Sequence, residues 1–471
     1  MIYSHPLFNK GAFGVKETIA AIATGMSNSG IGIVRMSGPD AIQIIDKVFV
    51  PIKGRKSISE AKSHTIHYGN IVSEGEIIDE VLVMVMKAPA SYTKEDVIEV
   101  NCHGGVFVMR RILSILIDNG ARSAEPGEFT KRAFLNGRID LSQAEAVIDV
   151  INSKNKYALR NSVRRLSGKL SEKIEKIREV LLNNLAYIEA ALDDPEHISL
   201  DNFGEKFIPI VDNCQKEVDN LLKSLENGKL LTQGVKTIIV GRPNVGKSSL
   251  LNLLSGYDRA IVTDIAGTTR DVIEEQINLC GITLNLVDTA GIRDTKDLIE
   301  EIGVKKSISL IDEADLVVCV VDSSSLLDKD DYDIFSMIKD KKAVVLLNKS
   351  DLDCVTGPED IRKYTDAAIF TVSAKENSGI EEFSNYVADL FINREIEYND
   401  EVYISGERNR EALLNAAESL RLVMEGLRLG ISEDLYAIDI MNAYTELGKI
   451  IGESVNDDLV NEIFSKFCMG K

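Results

Sequence analysis

The chain has 471 residues, 44% hydrophobic and 27% charged, with 74 Asp and Glu against 54 Lys and Arg for a formal net charge of −20. That length exceeds one ordinary domain of roughly 100–200 residues, and that apolar fraction excludes wholesale disorder. The acidic excess excludes a general nucleic-acid coat protein, whose affinity would come from Lys and Arg displacing phosphate counterions, while leaving room for a local basic patch.

From Glu17 to about Asn136, short β-rich runs at Ile31–Arg35, Val81–Met86 and Val97–Val100 alternate with turn clusters at Gly104-Gly105 and Pro126-Gly127, which predicts a compact α+β domain over 1–139. Beyond Asp140 the period becomes helical. Ile174, Ile177, Val180, Leu181, Leu185 and Ile188 form one apolar stripe within a predicted helical segment, 140–233. In 234–393, apolar strands at Thr237–Val240, Leu284–Val287, Leu316–Val321, Ala343–Leu347 and Ile369–Val372 alternate with helical stretches, the signature of a mainly parallel sheet with crossover helices. Helical period returns over 394–471, with Leu413, Ala416, Ala417, Leu420, Val423 and Leu427 on one face. The predicted architecture is multidomain: an N-terminal α+β domain and a split helical domain into which the α/β domain is inserted.

Six cysteines, Cys102, Cys214, Cys280, Cys319, Cys354 and Cys468, have no paired spacing, so neither a disulfide framework nor a CxxC zinc site is expected. With no basic-then-apolar leader and no run of about 18 apolar residues, the sequence predicts a cytoplasmic chain that neither leaves the cell nor spans a membrane. Between Lys154 and Arg178, nine cations (Lys154, Lys156, Arg160, Arg164, Arg165, Lys169, Lys173, Lys176 and Arg178) face only Glu172 and Glu175. Such a run is either a solvated helix face or a contact for nucleic-acid phosphates or an acidic partner surface.

The most specific motif is Gly241-Arg242-Pro243-Asn244-Val245-Gly246-Lys247-Ser248, a GxxxxGKS phosphate loop directly after the Thr237–Val240 strand and before the helix-forming Ser249-Leu250-Leu251. Glycines there let backbone N–H groups wrap phosphates, Lys247 adds charge at the β and γ phosphates, and the Ser248 hydroxyl suits Mg²⁺. Asp288-Thr289-Ala290-Gly291 ends the next strand, where Asp288 suits water-mediated Mg²⁺ contact and the Gly291 amide suits the γ-phosphate. Asn348-Lys349-Ser350-Asp351 ends another strand, and Ser373-Ala374-Lys375 completes the set. A carboxylate at Asp351 accepts from both the ring N–H and the amino group of guanine, a donor pair adenine lacks, so the predicted nucleotide is GTP. The pattern is that of a Ras-like P-loop G domain with two departures. Ile292 stands where a water-orienting glutamine would follow Gly291, and no arginine finger is assignable. Asn244 together with Gly267-Thr268-Thr269-Arg270-Asp271 suggests that a monovalent cation supplies the missing charge.

Outside the G-domain motifs stand Ile33-Val34-Arg35-Met36-Ser37-Gly38, Ser91-Tyr92-Thr93 through Glu99, His103-Gly104-Gly105, Pro126-Gly127-Glu128-Phe129 through Arg138, and the terminal Phe467-Cys468-Met469-Gly470-Lys471. With these segments, the chain resembles the bacterial and organellar tRNA-modification GTPase family MnmE (TrmE) over essentially its whole length. The resemblance implies an N-terminal domain that binds a one-carbon tetrahydrofolate (5,10-methylene or 5-formyl) and forms the homodimer. It also implies an FAD-dependent partner, MnmG, in a heterotetramer-like complex that modifies C5 of the wobble uridine of tRNA. GTP is hydrolysed to GDP as G domains dimerise with K⁺.

By the same resemblance, the GTP contacts fall on Asn244, Val245, Gly246, Lys247, Ser248, Ser249, the segment Thr263-Asp264-Ile265-Ala266-Gly267-Thr268-Thr269, Asp288 to Gly291, Asn348 to Asp351, and Ser373 to Lys375. Potassium falls on Asn244, Thr263, Ile265 and Thr268, and Mg²⁺ on Ser248 and Thr269. Asp294, Asp297, Glu300 and Glu301 all follow the second switch; residue chemistry leaves the choice open, and the resemblance selects Glu300 as the group that orients water. The folate residues fall on Arg35, Glu99, Arg138 and Lys471, with lysine also occurring in the family at the Arg138 position. Cys468 falls near the folate, as a candidate nucleophile or a structural cysteine. Two competing functions are a ribosome-assembly GTPase switch without covalent chemistry and a folate-dependent methyltransferase with a regulatory G domain.

Overall fold

Alternating apolar and polar residues drive the N-terminal part into a sheet with one face for the core and one for other uses. In the computed structural model, which describes residues 17–52, 57–257, 275–287, 311–391, 403–404, 406–453 and 455–470, seven strands form that sheet. They are β1 (Ile19–Ile22), β2 (Gly32–Ser37), β3 (Phe49–Pro51), β4 (Thr65–Ser73), β5 (Glu76–Met86), β6 (Val97–Cys102) and β7 (Arg122–Ser123), in the order β3-β4-β5-β6-β2-β1-β7. All pair antiparallel except β1 with β7. Helices α1 (Ala41–Val48) and α2 (Val106–Asp118) cover one face, packing Ile44, Ile45, Met109, Ile112 and Leu116 on Val34, Met36, Ile98 and Val100. On the other face, Phe129 of α3 (Glu128–Leu135) packs with Ile19, Ala21 and Ala124.

Four helices follow: α4 (Leu141–Ile151), α5 (Lys156–Leu166), α6 (Lys169–Asp193) and α7 (Phe203–Gln233). The predicted stripe on α6 buries Ile174, Ile177, Leu181, Leu185 and Ile188. Val180 departs from it at 38% exposure, because it precedes Leu181 by one residue and so lies about 100° around the helix from it.

The second sheet contains β8 (Val235–Val240), β9 (Glu275–Leu279), β10 (Ile282–Val287), β11 (Leu316–Asp322), β12 (Ala343–Asn348) and β13 (Ala368–Thr371), ordered β13-β12-β11-β8-β10-β9. Every pairing is parallel except the β9–β10 hairpin. Helices α8 (Lys247–Tyr257), α9 (Lys329–Met337), α10 (Pro358–Ile361) and α11 (Ile380–Phe391) belong to this part. Residues Leu316 to Val321 and Ala343 to Asn348 are buried throughout, the run of apolar positions expected of strands covered on both faces. After it come α12 (Glu407–Leu429), α13 (Glu433–Ile451) and α14 (Asp457–Ser465). Helices α7 and α12, which flank the α/β part in sequence, pack against each other, so the α/β part is an insertion in a helical one. Contacts divide the chain into two compact units, Met1–Ile148 with Gly448–Lys471, and Asp149–Leu447. The strands β1, β3, β4, β7 and β9 and the helix α7 carry no strong pattern of their own in the sequence. The first four are short, edge-lying or weakly alternating, and β9 owes its place to the hairpin with β10.

Candidate functional site

The phosphate loop joins β8 to α8, so the amides of the first turn of α8 point toward the space where the loop closes. Its backbone takes left-handed values at Asn244 (φ 63°) and Gly246 (φ 100°). At Gly246 only glycine fits: a Cβ would stand 2.2 Å from Asn348 Nδ2. The Lys247 ammonium donates to the carbonyls of Gly241 and Arg242, both at 2.5 Å. Ser248 and Ser249 lie in the first turn of α8, while Val245 is buried and its carbonyl faces the guanine motif. Donor amides at a helix N-terminus beside a lysine fit a polyphosphate.

Asn348 ends β12 and is 2% exposed. Its amide donates to Val245 O at 2.9 Å and its Oδ1 accepts from Ala374 N at 3.1 Å, so one side chain joins the phosphate loop to the Ser373–Lys375 turn. Lys349 sits at φ 64°, a left-handed strain seldom carried by a lysine, and donates to Asp322 Oδ2 at 2.6 Å. Ser350 N donates to Val372 O at 3.2 Å, which sets the loop against the end of β13. The Ser373 hydroxyl donates to Asp351 Oδ1 at 2.7 Å, and this hydrogen bond holds the Asp351 carboxyl below the usual carboxylate range. Lys375, 79% exposed, stands 3.8 Å from Asp351 Oδ2. An ionised acceptor with its second oxygen turned to an exposed lysine fits the donor pair of guanine.

Thr263, Asp264, Ile265, Ala266, Gly267, Thr268, Thr269, Asp288, Thr289, Ala290, Gly291, Glu300 and Lys471 lie outside the described residues. Of the predicted potassium set only Asn244 is therefore described, and of the Mg²⁺ set only Ser248. Among the described residues no group of three His, Cys, Asp or Glu stands ready for a metal ion.

A second constellation lies on the face of the seven-stranded sheet opposite α1 and α2. Because Val34 and Met36 enter the core, Arg35 between them emerges on the opposite face, and Glu99 does so between Ile98 and Val100. The β2–β6 register places Arg35 directly across from Glu99. Arg35 Nε and Nη2 reach Glu99 Oε1 at 2.7 and 2.6 Å, with the two side chains 17% and 14% exposed. The guanidinium lies 5.8 Å from the Tyr92 ring and 5.7 Å from Phe129, and Arg138 covers Tyr92 at 4.7 Å. Tyr92 is held by its hydroxyl, 2.9 Å from Thr130 Oγ1. The C-terminal segment completes the cluster: Arg35 Nη1 donates to Gly470 O at 3.1 Å, and Gly127 N donates to Cys468 O at 3.3 Å. Gly470 adopts φ 87°, and a Cβ there would meet Ile22 O at 2.3 Å, so the close approach of the tail to β1 requires glycine. Phe464, its ring tilted against Phe134 at 6.2 Å and Phe467 at 5.2 Å, fastens α14 to α3. The Cys468 side chain is exposed. Arg35, Glu99 and Arg138 thus converge, and Tyr92 joins them. Sequence reasoning assigns Tyr92 no role, although it stands in the distinctive Ser91-Tyr92-Thr93 segment.

Two arginines of the basic stretch are structural. Arg165 is 1% exposed and paired with Asp149 at 2.5 Å, and Arg178 is buried, 4.1 Å from the Tyr444 ring, donating to Tyr444 O at 3.2 Å. Charge reversal at Arg165 therefore reports on folding, not on tRNA contact. Lys156, Arg160, Lys169 and Lys176 remain exposed, Lys176 paired with Glu172.

Comparison with known proteins covers both parts of the chain. The family described as MnmE helical domain matches residues 141–468, and the family described as GTP-binding protein TrmE N-terminus matches residues 18–138. A tRNA modification GTPase MnmE of Lachnoclostridium phytofermentans is 54% identical over 97% of this chain and 99% of its own length. Proteins of the same description from Thermoanaerobacter pseudethanolicus and Acetivibrio thermocellus are 47% and 46% identical over 97% of this chain, covering 100% and 99% of their lengths.

Proposed function

We propose, on the premise that this chain belongs to the MnmE family of tRNA modification GTPases, that its two constellations divide the labour, with the α/β part hydrolysing GTP and the Arg35 cluster binding a one-carbon tetrahydrofolate. The observation that carries the division is that each set of residues is assembled on its own sheet, one at strand ends and one on a sheet face.

In the GTPase half, Asp351 reads guanine, Asn348 ties the base side to the phosphate loop, and the amides of the loop with Lys247 hold the phosphates. Mg²⁺ held by Ser248 and Thr269, and K⁺ held by Asn244, Thr263, Ile265 and Thr268, would neutralise charge that develops on the phosphates. Lys247, whose ammonium rests on two loop carbonyls, turns to the β and γ phosphates. Glu300 would orient the attacking water, taking the place of the glutamine absent at Ile292.

In the folate half, a pterin ring needs an acceptor for its adjacent donors and a flat surface, and its glutamate tail needs cations. Glu99, Tyr92, Phe129, Arg35 and Arg138 supply those groups, with Lys471 assigned to the same site. Cys468, exposed beside the tail contact, is the candidate nucleophile there.

The chain acts with MnmG on the wobble uridine of tRNA, adding an aminomethyl or carboxymethylaminomethyl group, and forms its homodimer through the N-terminal domain. In support of the dimer, Ile66, Tyr68 and Leu82 stand 59%, 50% and 45% exposed on one face of β4–β5, with Tyr68 directly across from Leu82. The chain's work is placed in the cytoplasm; among the described residues no helix is long and apolar enough to cross a membrane. The test is reconstitution of full chain, FAD-loaded MnmG with NADH, unmodified tRNA, GTP, KCl, 5,10-methylene-tetrahydrofolate as the carbon donor and ammonium or glycine as the nitrogen donor, with nucleoside mass spectrometry as readout. C5-modified uridine that disappears when any component is omitted supports the reading; methyl transfer without MnmG, or no change at uridine, refutes it.

A further inference from the structure

The side chain of Arg242, second residue of the phosphate loop, is 15% exposed and turned to a single neighbouring loop. Its Nη1 pairs with Asp328 Oδ2 at 2.5 Å, its Nε with Asp331 Oδ2 at 2.9 Å, and its Nη2 donates to Ser325 Oγ at 3.1 Å. Asp331 is 1% exposed, so a guanidinium and a carboxylate are both withdrawn from water here. The two carboxylates are themselves fixed. Asp328 caps α9, accepting from the amides of Asp330 and Asp331, and Asp331 accepts in return from the Asp328 amide at 3.1 Å. Arg242 is thus fastened to a capped helix N-terminus.

The other end of the same loop is fastened to the guanine motif. Asp322 Oδ2 accepts from Lys349 at 2.6 Å while its Oδ1 accepts from Ser324 N and Oγ. Ser323 N donates to Asn348 O at 2.9 Å. Between the two ends, Thr356 Oγ1 donates to Ser325 O at 2.6 Å. Residues 322–331 therefore run from the base-reading strand end to the phosphate loop with polar anchors at both ends, and the Arg242 carbonyl is one of the two that receive the Lys247 ammonium.

We propose that Arg242 is a positioning residue for nucleotide binding: through Asp328, Asp331 and Ser325 it fixes the phosphate loop against residues 322–331 and so sets the distance between the phosphate and base subsites. The inference rests on the nucleotide-binding reading of the site. The Arg242 guanidinium is already engaged by Asp328, Asp331 and Ser325. A brace of this kind serves GTP and GDP alike, so it acts on affinity and leaves the chemical step alone. Lysine keeps the charge but not the fork that spans two carboxylates and a hydroxyl, so R242K restores only part of the function.

The experiment measures GDP and non-hydrolysable GTP-analogue affinity, kcat at saturating GTP, and the unfolding midpoint of the nucleotide-free chain, for the full-length wild type, R242Q, R242K and D328N. Loss of a charge-assisted pair predicts affinities for both nucleotides about tenfold or more weaker in R242Q, with R242K and D328N in between. Because uniform binding energy does not enter turnover, kcat at saturation should stay within about twofold. Wild-type affinity in both R242Q and D328N would overturn the inference. So would a fall in kcat with affinity unchanged, or a lower midpoint with affinity unchanged, which would make Arg242 purely structural. D328N keeps the arginine and supplies the answer should R242Q not fold. Failure of the wild type itself to bind GDP would instead remove the nucleotide reading on which the inference stands.

Discussion

The two sheets place their functional residues in opposite ways. The six-stranded sheet is covered on both faces, with Leu316 to Val321 and Ala343 to Asn348 buried along their length, so polar groups emerge only where strands end: Asn348, Asp351 and the phosphate loop after β8. The seven-stranded sheet is antiparallel but for one pair, and its helices α1 and α2 cover one face, so Arg35 and Glu99 can stand in the middle of strands on the other. A parallel sheet needs crossovers that bury both faces, and this pushes binding groups to the carboxyl ends and into short contiguous loops. An antiparallel sheet frees a face, where a site is assembled from cross-strand register and from whatever segment lies on top, here the C-terminal residues to Gly470.

The largest expected effect probes the strand-end site. Asp351→Asn replaces an acceptor for two guanine donors by a group that itself donates; at ~1.5–3 kcal/mol for each hydrogen bond to a charged group, GTP affinity should fall by about a hundredfold or more. Competition between GTP and XTP checks it, and retained GTP preference would break the comparison on that side.

Next is Arg165→Glu. Breaking a buried pair and setting two carboxylates together at Asp149 should cost ~3–5 kcal/mol of stability, read from denaturant unfolding. The double substitution Lys156→Glu, Lys169→Glu, at exposed positions, should leave the midpoint near wild type and is the proper probe of tRNA contact through its salt dependence.

A smaller effect concerns pH. The Asp351 carboxyl is held below its ordinary value of 3.8 by Ser373, so the ionised acceptor persists as pH falls and guanine recognition is lost only below that value. Ser373→Ala removes the main cause and shifts the loss to higher pH; GDP affinity measured from pH 7 downward should show it. An unshifted profile would mean that another group holds the carboxyl.

The smallest effect separates buried from exposed thiols. Burial pushes Cys102 and Cys214 up to about 11 and Cys319 to about 12, which leaves almost no thiolate at pH 8. Native-state alkylation should therefore modify Cys354 and Cys468 readily and Cys280 more slowly, since burial and Glu381 raise its pKa as well.

The same contrast explains what can be read from sequence. The phosphate loop and Asn348 to Asp351 are contiguous, so their spacing alone identifies them, and the strands that carry them are unbroken apolar runs. Arg35 and Glu99 are 64 residues apart and become a pair only through the β2–β6 register, which no local pattern encodes. The Gly470 carbonyl at Arg35, separated by 435 residues, is beyond any periodicity. Arg242 is legible as a loop position, but its partners 83 and 86 residues on depend on the fold of residues 322–331. Arg165 and Arg178 look like members of a basic surface run because charge counts carry no information on which helix face is buried.

The most direct test of the division between the two sheets is equilibrium binding of GDP and of 5-formyl-tetrahydrofolate to the full-length Asp351→Asn and Arg35→Ala chains. The account predicts a double dissociation: Asp351→Asn loses GDP and keeps the folate, while Arg35→Ala loses the folate and keeps GDP. Folate bound by Arg35→Ala with wild-type affinity, or lost together with GDP in either variant, would contradict it.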